Sequence, residues 1–137
     1  MAYSFKWKIT PSVLIADDSL VNRKIMEGFL RQCGCSVQAT VDGKQVLQQF
    51  TDSNWDLILM DVNMPVMDGL EAASRIREIE KQRNIPAHIP IVALTAGIMP
   101  DEQLKCYEAG MDEVIAKPLS IEALGSVFKN KLSHLFE

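Results

Sequence analysis

The sequence lacks a long hydrophobic run, a cluster of basic residues and an even set of cysteines. No stretch among its 137 residues approaches the roughly 18 apolar residues of a membrane span, and the start of the chain holds no apolar core of signal-peptide length. Its net charge of −4 comes without a Lys/Arg cluster, which argues against a nucleic acid as a partner. We therefore expect a cytoplasmic location and no membrane contact by this chain.

The three cysteines do not form a recognisable metal or redox motif. Cys33 and Cys35 lack the Cys-x-x-Cys spacing, and Cys106 has no histidine close to it in sequence. We expect buried or partly exposed thiols without a metal or redox role. A chain of this length can fold as one domain around its own hydrophobic core, without disulfides.

Short apolar runs predict the strands of an α/β domain. They are rich in aliphatic residues and do not alternate apolar with polar, which favours strands buried on both faces of a parallel sheet. Residues 36–40 supply a weaker, fifth strand. The four clear runs are residues 13–16, 57–60, 91–94 and 114–116.

The segments between these runs have helical periodicity. Asp42 and Asp68 have capping-box spacing, and Pro100 suits a first helical turn. Amphipathic stripes predict helices at 19–33, 69–82 and about 120–135. In the first of these helices the apolar stripe comprises Val21, Ile25 and Phe29, with Met26 and Leu30 beside it.

Polar residues suited to phosphate chemistry follow four of the predicted strands. Ligands of doubly wound α/β domains bind at the carboxyl ends of the strands, so these residues should share one site. The carboxylates among them would repel one another by about 3 kcal/mol per pair at ~5 Å and an effective dielectric near 20, so the site needs a cation. Oxygen ligands favour Mg²⁺ over zinc. The residues are Asp17, Asp18, Asp61, Thr95 and Lys117.

Four segments together resemble the receiver domain of two-component response regulators. They are residues 16–19, 60–69, 93–96 and 116–119, and the resemblance extends from about Val13 to Leu135. It implies a flavodoxin-like, doubly wound (βα)5 fold with a five-stranded parallel sheet in the order 2-1-3-4-5. The receiver domain would then occupy residues 12–137, after an N-terminal tail or linker at 1–11.

The resemblance also assigns roles to the acidic residues. It makes Asp61 the phosphoacceptor, a carboxylate nucleophile that forms an aspartyl phosphate. Asp17 and Asp18 would bind Mg²⁺ together with Asp61 and the main-chain carbonyl of Asn63.

The remaining site residues would bind the phosphoryl group. Thr95, Lys117 and the backbone amide of Ala96 are placed to neutralise its oxygens, as phosphoryl transfer requires. The resemblance further implies a cis peptide bond at Pro118, after Lys117.

The phosphoryl donor should be a histidine of another domain or protein. Neither His88, between two prolines, nor His134, near the chain end, has the helical surroundings expected of a phosphorylated histidine. The resemblance implies a histidine kinase or a histidine-phosphotransfer domain as partner. We expect no catalysis on outside substrates, only phosphorylation and dephosphorylation of Asp61.

One position departs from the receiver pattern. Receivers have an aromatic residue three positions before the lysine, and here that residue is Val114. Valine is small and stiff, so it cannot report phosphorylation by swinging a ring. We expect the switch to act through Thr95 and the loop 97–100 instead.

The context of the domain has two interpretations. Residues 18–23, with Leu30 and Gly34 after them, resemble receivers of hybrid sensor histidine kinases, which favours an excised hybrid-kinase receiver over a stand-alone regulator. Aromatic residues in the tail at Tyr3, Phe5 and Trp7 are consistent with a linker or with a strap that packs on the domain. The oligomeric state stays open.

Other classes of function remain possible. A phosphohydrolase would use Asp61 but typically needs an acid two residues later, where Asn63 stands. A degenerate receiver would act only as a binding module, against which the complete set of acceptor-site residues argues. A flavin or nucleotide domain is less favoured, because no glycine-rich loop follows the first strand.

Overall fold

Strands and helices alternate from Ser12 to Lys131. The computed structural model describes residues 5–97 and 99–137, so Tyr3 in the predicted tail and Ile98 in the predicted switch loop lie outside the described residues. In chain order the elements are β1 (Ser12–Ala16), α1 (Leu20–Gln32), β2 (Ser36–Thr40), α2 (Gly43–Asp52), β3 (Leu57–Asp61), α3 (Gly69–Gln82), β4 (Ile91–Thr95), α4 (Pro100–Glu108), β5 (Glu113–Ala116), α5 (Ile121–Lys131) and a 3₁₀ turn (Ser133–Leu135).

The five strands form one parallel sheet in the order β2-β1-β3-β4-β5, which confirms the predicted fold. Its register aligns the carboxyl ends of the strands. Ala16 lies opposite Met60, and Thr95 lies opposite Ala116. The residues that follow these positions therefore meet along one edge of the sheet.

Helices cover both faces of the sheet and divide the core in two. One cluster of buried side chains lies under α1 and α5, and the other lies under α2, α3 and α4. Each fully buried aliphatic side chain contributes about 1.5–3 kcal/mol relative to an exposed one. Among the described residues, no helix combines the length and the apolar character that crossing a membrane requires.

Burial of the strands follows their position in the sheet. β3 and β4 are buried along their whole length, as predicted for central parallel strands. The prediction was wrong for β5, whose residues are only partly buried or exposed. This strand lies at the edge of the sheet and has β4 as its only neighbour in the strand order.

The buried side of α1 differs from the predicted stripe. Met26, Leu30 and Cys33 face the core, whereas Val21 and Ile25 are exposed. The spacing of the core residues is i, i+4, i+7, and Ile25 is rotated about 100° from Met26 around the helix. The apolar side chains at the start of α1 are therefore on the surface.

The last helix is shorter than predicted. α5 ends at Lys131, and Leu132 leaves the helical conformation with φ −122° and ψ 18°. The bend leads into the 3₁₀ turn and brings the chain end beside the N-terminal segment. There the amide of Lys8 donates to the carbonyl of Leu135, and the amide of Glu137 donates to that of Lys6.

The described part of the predicted tail packs on the domain as a strap, defined here as residues 5–8. Phe5 and Trp7 form an aromatic cluster with Phe128 and Phe136, with ring centroids 4.9–6.1 Å apart. The indole Nε1 of Trp7 also donates to the carbonyl of Cys33 at 2.8 Å. A boundary after residue 11 would separate these side chains from the core that they cover.

Two aspartates cap helices, as the spacing predicted. Asp42 accepts a hydrogen bond from the amide of Gln45, and Asp68 accepts one from the amide of Glu71, both at 2.8 Å. These side chains satisfy amides that helices leave free at their first turn. Asp68 begins α3 directly after the loop that follows β3.

Candidate functional site

Three carboxylates meet where β1 and β3 end. Oxygens of Asp17, Asp18 and Asp61 all lie within 4.8 Å of one another. Asp17 and Asp61 are buried, whereas Asp18 is exposed. The two parallel strands are neighbours in the sheet, so residues that follow or end them are necessarily close.

The first turn of α1 holds Asp17 in place. Its Oδ1 accepts from the amide of Ser19 at 2.9 Å, and its Oδ2 accepts from Nδ2 of Asn22 at 3.3 Å. Arg23 donates from Nη1 to the main-chain carbonyl of Asp17 at 2.9 Å. The sequence analysis gave no role to Asn22 and Arg23; their spacing five and six residues after Asp17, at the start of a helix, was the signal available.

Lys117 bridges two of the carboxylates from the loop after β5. Its Nζ lies 2.8 Å from Oδ2 of Asp61 and 3.1 Å from Oδ2 of Asp17. Burial lowers the pKa of Lys117, but hydrogen bonds to both aspartates outweigh burial and leave this pKa above its ordinary value. The ammonium group is therefore charged at neutral pH.

Asp61 is buried among groups with opposing effects. Burial raises the pKa of its carboxyl group and the charge of Asp17 adds to that, while hydrogen bonds from Lys117 and from the amide of Asn63 lower it. The net pKa is above the ordinary value. The amide of Asn63 donates to Oδ1 at 3.1 Å, so both carboxylate oxygens have a donor.

The end of β4 closes the other side of the site. Thr95 is buried, and its Oγ1 accepts from the amide of Gly97 at 3.1 Å. Its carbonyl accepts from the amide of Lys117 at 2.8 Å, which ties β4 to the loop after β5. Ala96 is exposed beside Thr95. The peptide bond between Lys117 and Pro118 is cis.

The donor set fits Mg²⁺. It offers carboxylate oxygens without His or Cys, and Mg²⁺ binds to one or two carboxylates while keeping several waters. A spread of up to 4.8 Å among the oxygens suits ligands that act partly through water. Asp17, Asp18, Asp61 and the carbonyl of Asn63 are the groups that would hold it.

The remaining predicted position lies away from the carboxylates. Val114 is partly buried on β5 and packs against the core cluster under α2, α3 and α4. A cavity of about 340 Å³ opens beside Asn63, Thr95 and Gly97.

Comparison with protein families and curated proteins gives a consistent result. Residues 13–129 match the model of the response regulator receiver domain. The chain is 35% identical over 125 residues to hybrid signal transduction histidine kinase L of Dictyostelium discoideum, which covers 89% of this chain. It is 36% identical over 126 residues to the peroxide stress-activated histidine kinase mak1 of Schizosaccharomyces pombe, covering 90%. The chain spans only 7% and 8% of these two relatives.

Solved structures share the fold. The receiver domain of the sensor histidine kinase PA1611 from Pseudomonas aeruginosa, with magnesium coordinated in its active-site cleft, has a TM-score of 0.81 and 32% identity, covering 91% of this chain and 99% of that one. The receiver domain of Ssk1 from Saccharomyces cerevisiae, crystallised with the histidine phosphotransfer protein Ypd1, has a TM-score of 0.86 and 30% identity, covering 94% of this chain and 95% of that one.

Proposed function

The chain belongs to the response regulator receiver domain family, and we propose that its Asp61 accepts a phosphoryl group from a phosphohistidine. The observation that carries this proposal is the convergence of Asp17, Asp18 and Lys117 on Asp61 at the carboxyl edge of the sheet. A buried carboxylate flanked by a cation and by further metal-ligating oxygens is equipped to attack phosphorus.

The transfer balances simply. A carboxylate oxygen of Asp61 bonds to phosphorus as the phosphorus–nitrogen bond of the donor breaks, and the bond electrons return to the donor imidazole, which takes up a proton. Asp17, Asp18, Asp61 and the carbonyl of Asn63 would hold Mg²⁺, which would supply positive charge for the transfer. We assign no reaction on outside substrates to this site.

Other groups of the site receive the phosphoryl oxygens. Lys117 exchanges part of its contact with Asp61 for a phosphoryl oxygen, while Thr95 Oγ1 and the amide of Ala96 donate to the others. Thr95 ends β4, and Ala96 and Lys117 directly follow strands of the sheet, so the sheet places all three donors near the reacting group before the transfer. The buried position of Thr95 supports this role.

The phosphoryl partner that we propose is a histidine-phosphotransfer domain or the histidine domain of a kinase. The exposed apolar side chains Leu20, Val21 and Ile25 of α1 support it, because Ile25 lines a small recess together with Lys117. The complex of Ypd1 with a similar receiver supports the same class of partner. The hybrid-kinase relatives support the proposal that this chain is a receiver within such a kinase, on its cytoplasmic side.

The response to phosphorylation would start at Thr95. Moving its hydroxyl toward the phosphoryl group breaks the hydrogen bond from Gly97, and the loop before Pro100 then rearranges. Val114 would follow through packing rather than by a ring rotation. Amide chemical shifts of residues 97–103 that stay unchanged on phosphorylation would contradict this route.

Intact mass after incubation with a phosphoryl donor tests the function. Acetyl phosphate and a phosphorylated histidine-phosphotransfer domain are the donors, each with Mg²⁺ and with EDTA. We expect a Mg²⁺-dependent gain of one phosphoryl group that is lost in Asp61→Asn. Asp68→Asn is the matched control, because Asn also caps a helix and Asp68 lies outside the carboxylate cluster. No gain from either donor would contradict the proposal and favour a degenerate binding module.

A further inference from the structure

Arg23 contacts the site in an unexpected way. Its guanidinium is beside the acidic cluster, yet its Nη1 donates to the main-chain carbonyl of Asp17 at 2.9 Å. None of the ion pairs found among residues 5–97 and 99–137 involves Arg23. The cation on the carboxylate side is Lys117. Arg23 therefore holds backbone rather than neutralising the carboxylates.

Asp17, whose carbonyl accepts the hydrogen bond from Arg23, also forms hydrogen bonds through its amide and its side chain. Asp17 donates its own amide to the carbonyl of Thr40 at 3.1 Å, and its side chain accepts from Ser19 and Asn22. Asp17 is only 1% exposed. Thr40 fixes Asp17 from β2, while Ser19, Asn22 and Arg23 fix it from the first turns of α1. The Asp17 carboxylate is therefore oriented by donors at the start of α1 and, from the loop after β5, by Lys117 Nζ at 3.1 Å.

We propose that Arg23 is a positioning residue for the cation site, acting through Asp17. The inference rests on the proposed function, since it needs Asp17 to be a ligand of Mg²⁺. A ligand that is oriented before the ion arrives loses less freedom on binding, and hydrogen bonds behind metal ligands typically account for 10–100-fold in metal affinity. Asn22 acts in the same direction through its contact with Oδ2.

A purely electrostatic role for Arg23 predicts the opposite change in Mg²⁺ affinity. Removing a positive charge beside a Mg²⁺ site lowers the repulsion of the ion, so a charge role for Arg23 predicts tighter Mg²⁺ binding after its neutralisation. Loss of orientation predicts weaker binding. A role limited to stability predicts a lower melting temperature with unchanged Mg²⁺ affinity.

The test is a titration of the chain with MgCl₂ at constant ionic strength, followed by amide chemical shifts. Arg23→Met removes both the positive charge and the hydrogen bond to Asp17, whereas Arg23→Lys keeps the positive charge and replaces the guanidinium by an ammonium donor. Arg31→Met is the matched control, because Arg31 lies on the same helix with an exposed side chain that reaches Glu27 at 3.8 Å. Melting curves in EDTA report the stability of each variant.

We expect the dissociation constant of Mg²⁺ to rise by about tenfold or more in Arg23→Met and to recover partly in Arg23→Lys. Arg31→Met should match the wild type. Equal or tighter Mg²⁺ binding in a folded Arg23→Met would overturn the inference, as would an equal loss of affinity in Arg31→Met. If Arg23→Met does not fold, Arg23→Lys decides: Mg²⁺ affinity below that of the wild type, with the charge kept, supports the inference, and affinity equal to the wild type overturns it.

The same titration separates this inference from the proposed function. If the wild-type chain binds Mg²⁺ and gains a phosphoryl group while Arg23→Met binds Mg²⁺ with unchanged affinity, the proposed function stands. The positioning role of Arg23 is then refuted. Wild-type chain that neither binds Mg²⁺ nor gains a phosphoryl group removes both.

Discussion

Lys117 and Asp61 form a 2.8 Å ion pair between the loop after β5 and the end of β3. The same ammonium group lies 3.1 Å from Asp17. One cation thus serves two buried carboxylates that would otherwise repel each other. Lys117 therefore compensates the charge of both carboxylates, and in the proposed function it also binds the phosphoryl group.

Replacing Lys117 by Met should make the domain depend on Mg²⁺ for stability. Two buried carboxylates lose their cation, which costs roughly 2–4 kcal/mol in EDTA. Mg²⁺ then takes over the compensation, so its addition should raise the melting temperature more in Lys117→Met than in the wild type. The exposed Lys129 provides the control variant Lys129→Met. An equal Mg²⁺-induced rise in Lys117→Met and wild type would contradict this role.

Gly69 should not tolerate a side chain, whereas Gly28 should. A Cβ on Gly69 would collide with the backbone carbonyl of Asp61 and approach Cα of Val62 to 3.1 Å, while a Cβ on Gly28 meets nothing within 4 Å. Gly69→Ala should therefore lower the free energy of unfolding and slow phosphorylation of Asp61. Gly28→Ala should raise that free energy by about 0.5–1 kcal/mol through helix propensity. Urea unfolding measures the free energy of unfolding of both variants. An unchanged free energy of unfolding in Gly69→Ala would contradict the predicted collision with the carbonyl of Asp61.

The strap should contribute to stability through Trp7. Trp7→Ala removes the ring contacts with Phe128 and Phe136 and the hydrogen bond to Cys33, at a cost of roughly 2–3 kcal/mol. Ile9→Ala, two residues further along and exposed, should change stability by less than about 0.5 kcal/mol. Equal effects of the two substitutions in urea unfolding would show that the strap does not hold the domain.

The cysteines should be unreactive in the folded chain. Burial, followed by the charges of Cys33 and Asp56, raises the pKa of Cys35 from 9.0 to about 12, and burial also raises the pKa of Cys33 and of Cys106. The thiolate fraction of Cys35 at pH 8 is then about a thousandfold below that of an ordinary thiol.

Alkylation measures this difference. Iodoacetamide at pH 8 should leave the native chain unmodified and label it after unfolding in guanidinium. Since the folded pKa of Cys35 exceeds the unfolded one, its thiol stabilises the fold fully below pH 9 and less as the pH rises toward 12. Rapid labelling of Cys35 in the native chain, or stability that does not fall above pH 9, would contradict the burial.

Local patterns in the sequence predicted a doubly wound α/β domain and the convergence of the acidic site, whereas the strand order 2-1-3-4-5 came from the resemblance to receiver domains. Asp61 and Thr95 end apolar runs whose parallel pairing brings their ends to one edge, so periodicity sufficed to place them together. The exposed Val21 and Ile25 were misplaced, because an apolar stripe indicates a core face only when a partner element covers it.

Contacts between distant or differently oriented groups could not be predicted. Trp7 meets Phe136 only because α5 ends at Lys131 and the chain bends back, which no local pattern encodes. Arg23 could have paired with several carboxylates, and only the three-dimensional arrangement directs it to the carbonyl of Asp17.

The position of the phosphoryl group tests the central claim most directly. Borohydride reduces an aspartyl phosphate to homoserine, so reduction after phosphorylation with Mg²⁺, followed by peptide mass spectrometry, identifies the acceptor. Homoserine at position 61, absent in the EDTA sample and in Asp61→Asn, is the expected result. Homoserine at position 17 or 18, or a phosphorylated chain in which Asp61 survives reduction, would contradict the assignment of Asp61 as the acceptor.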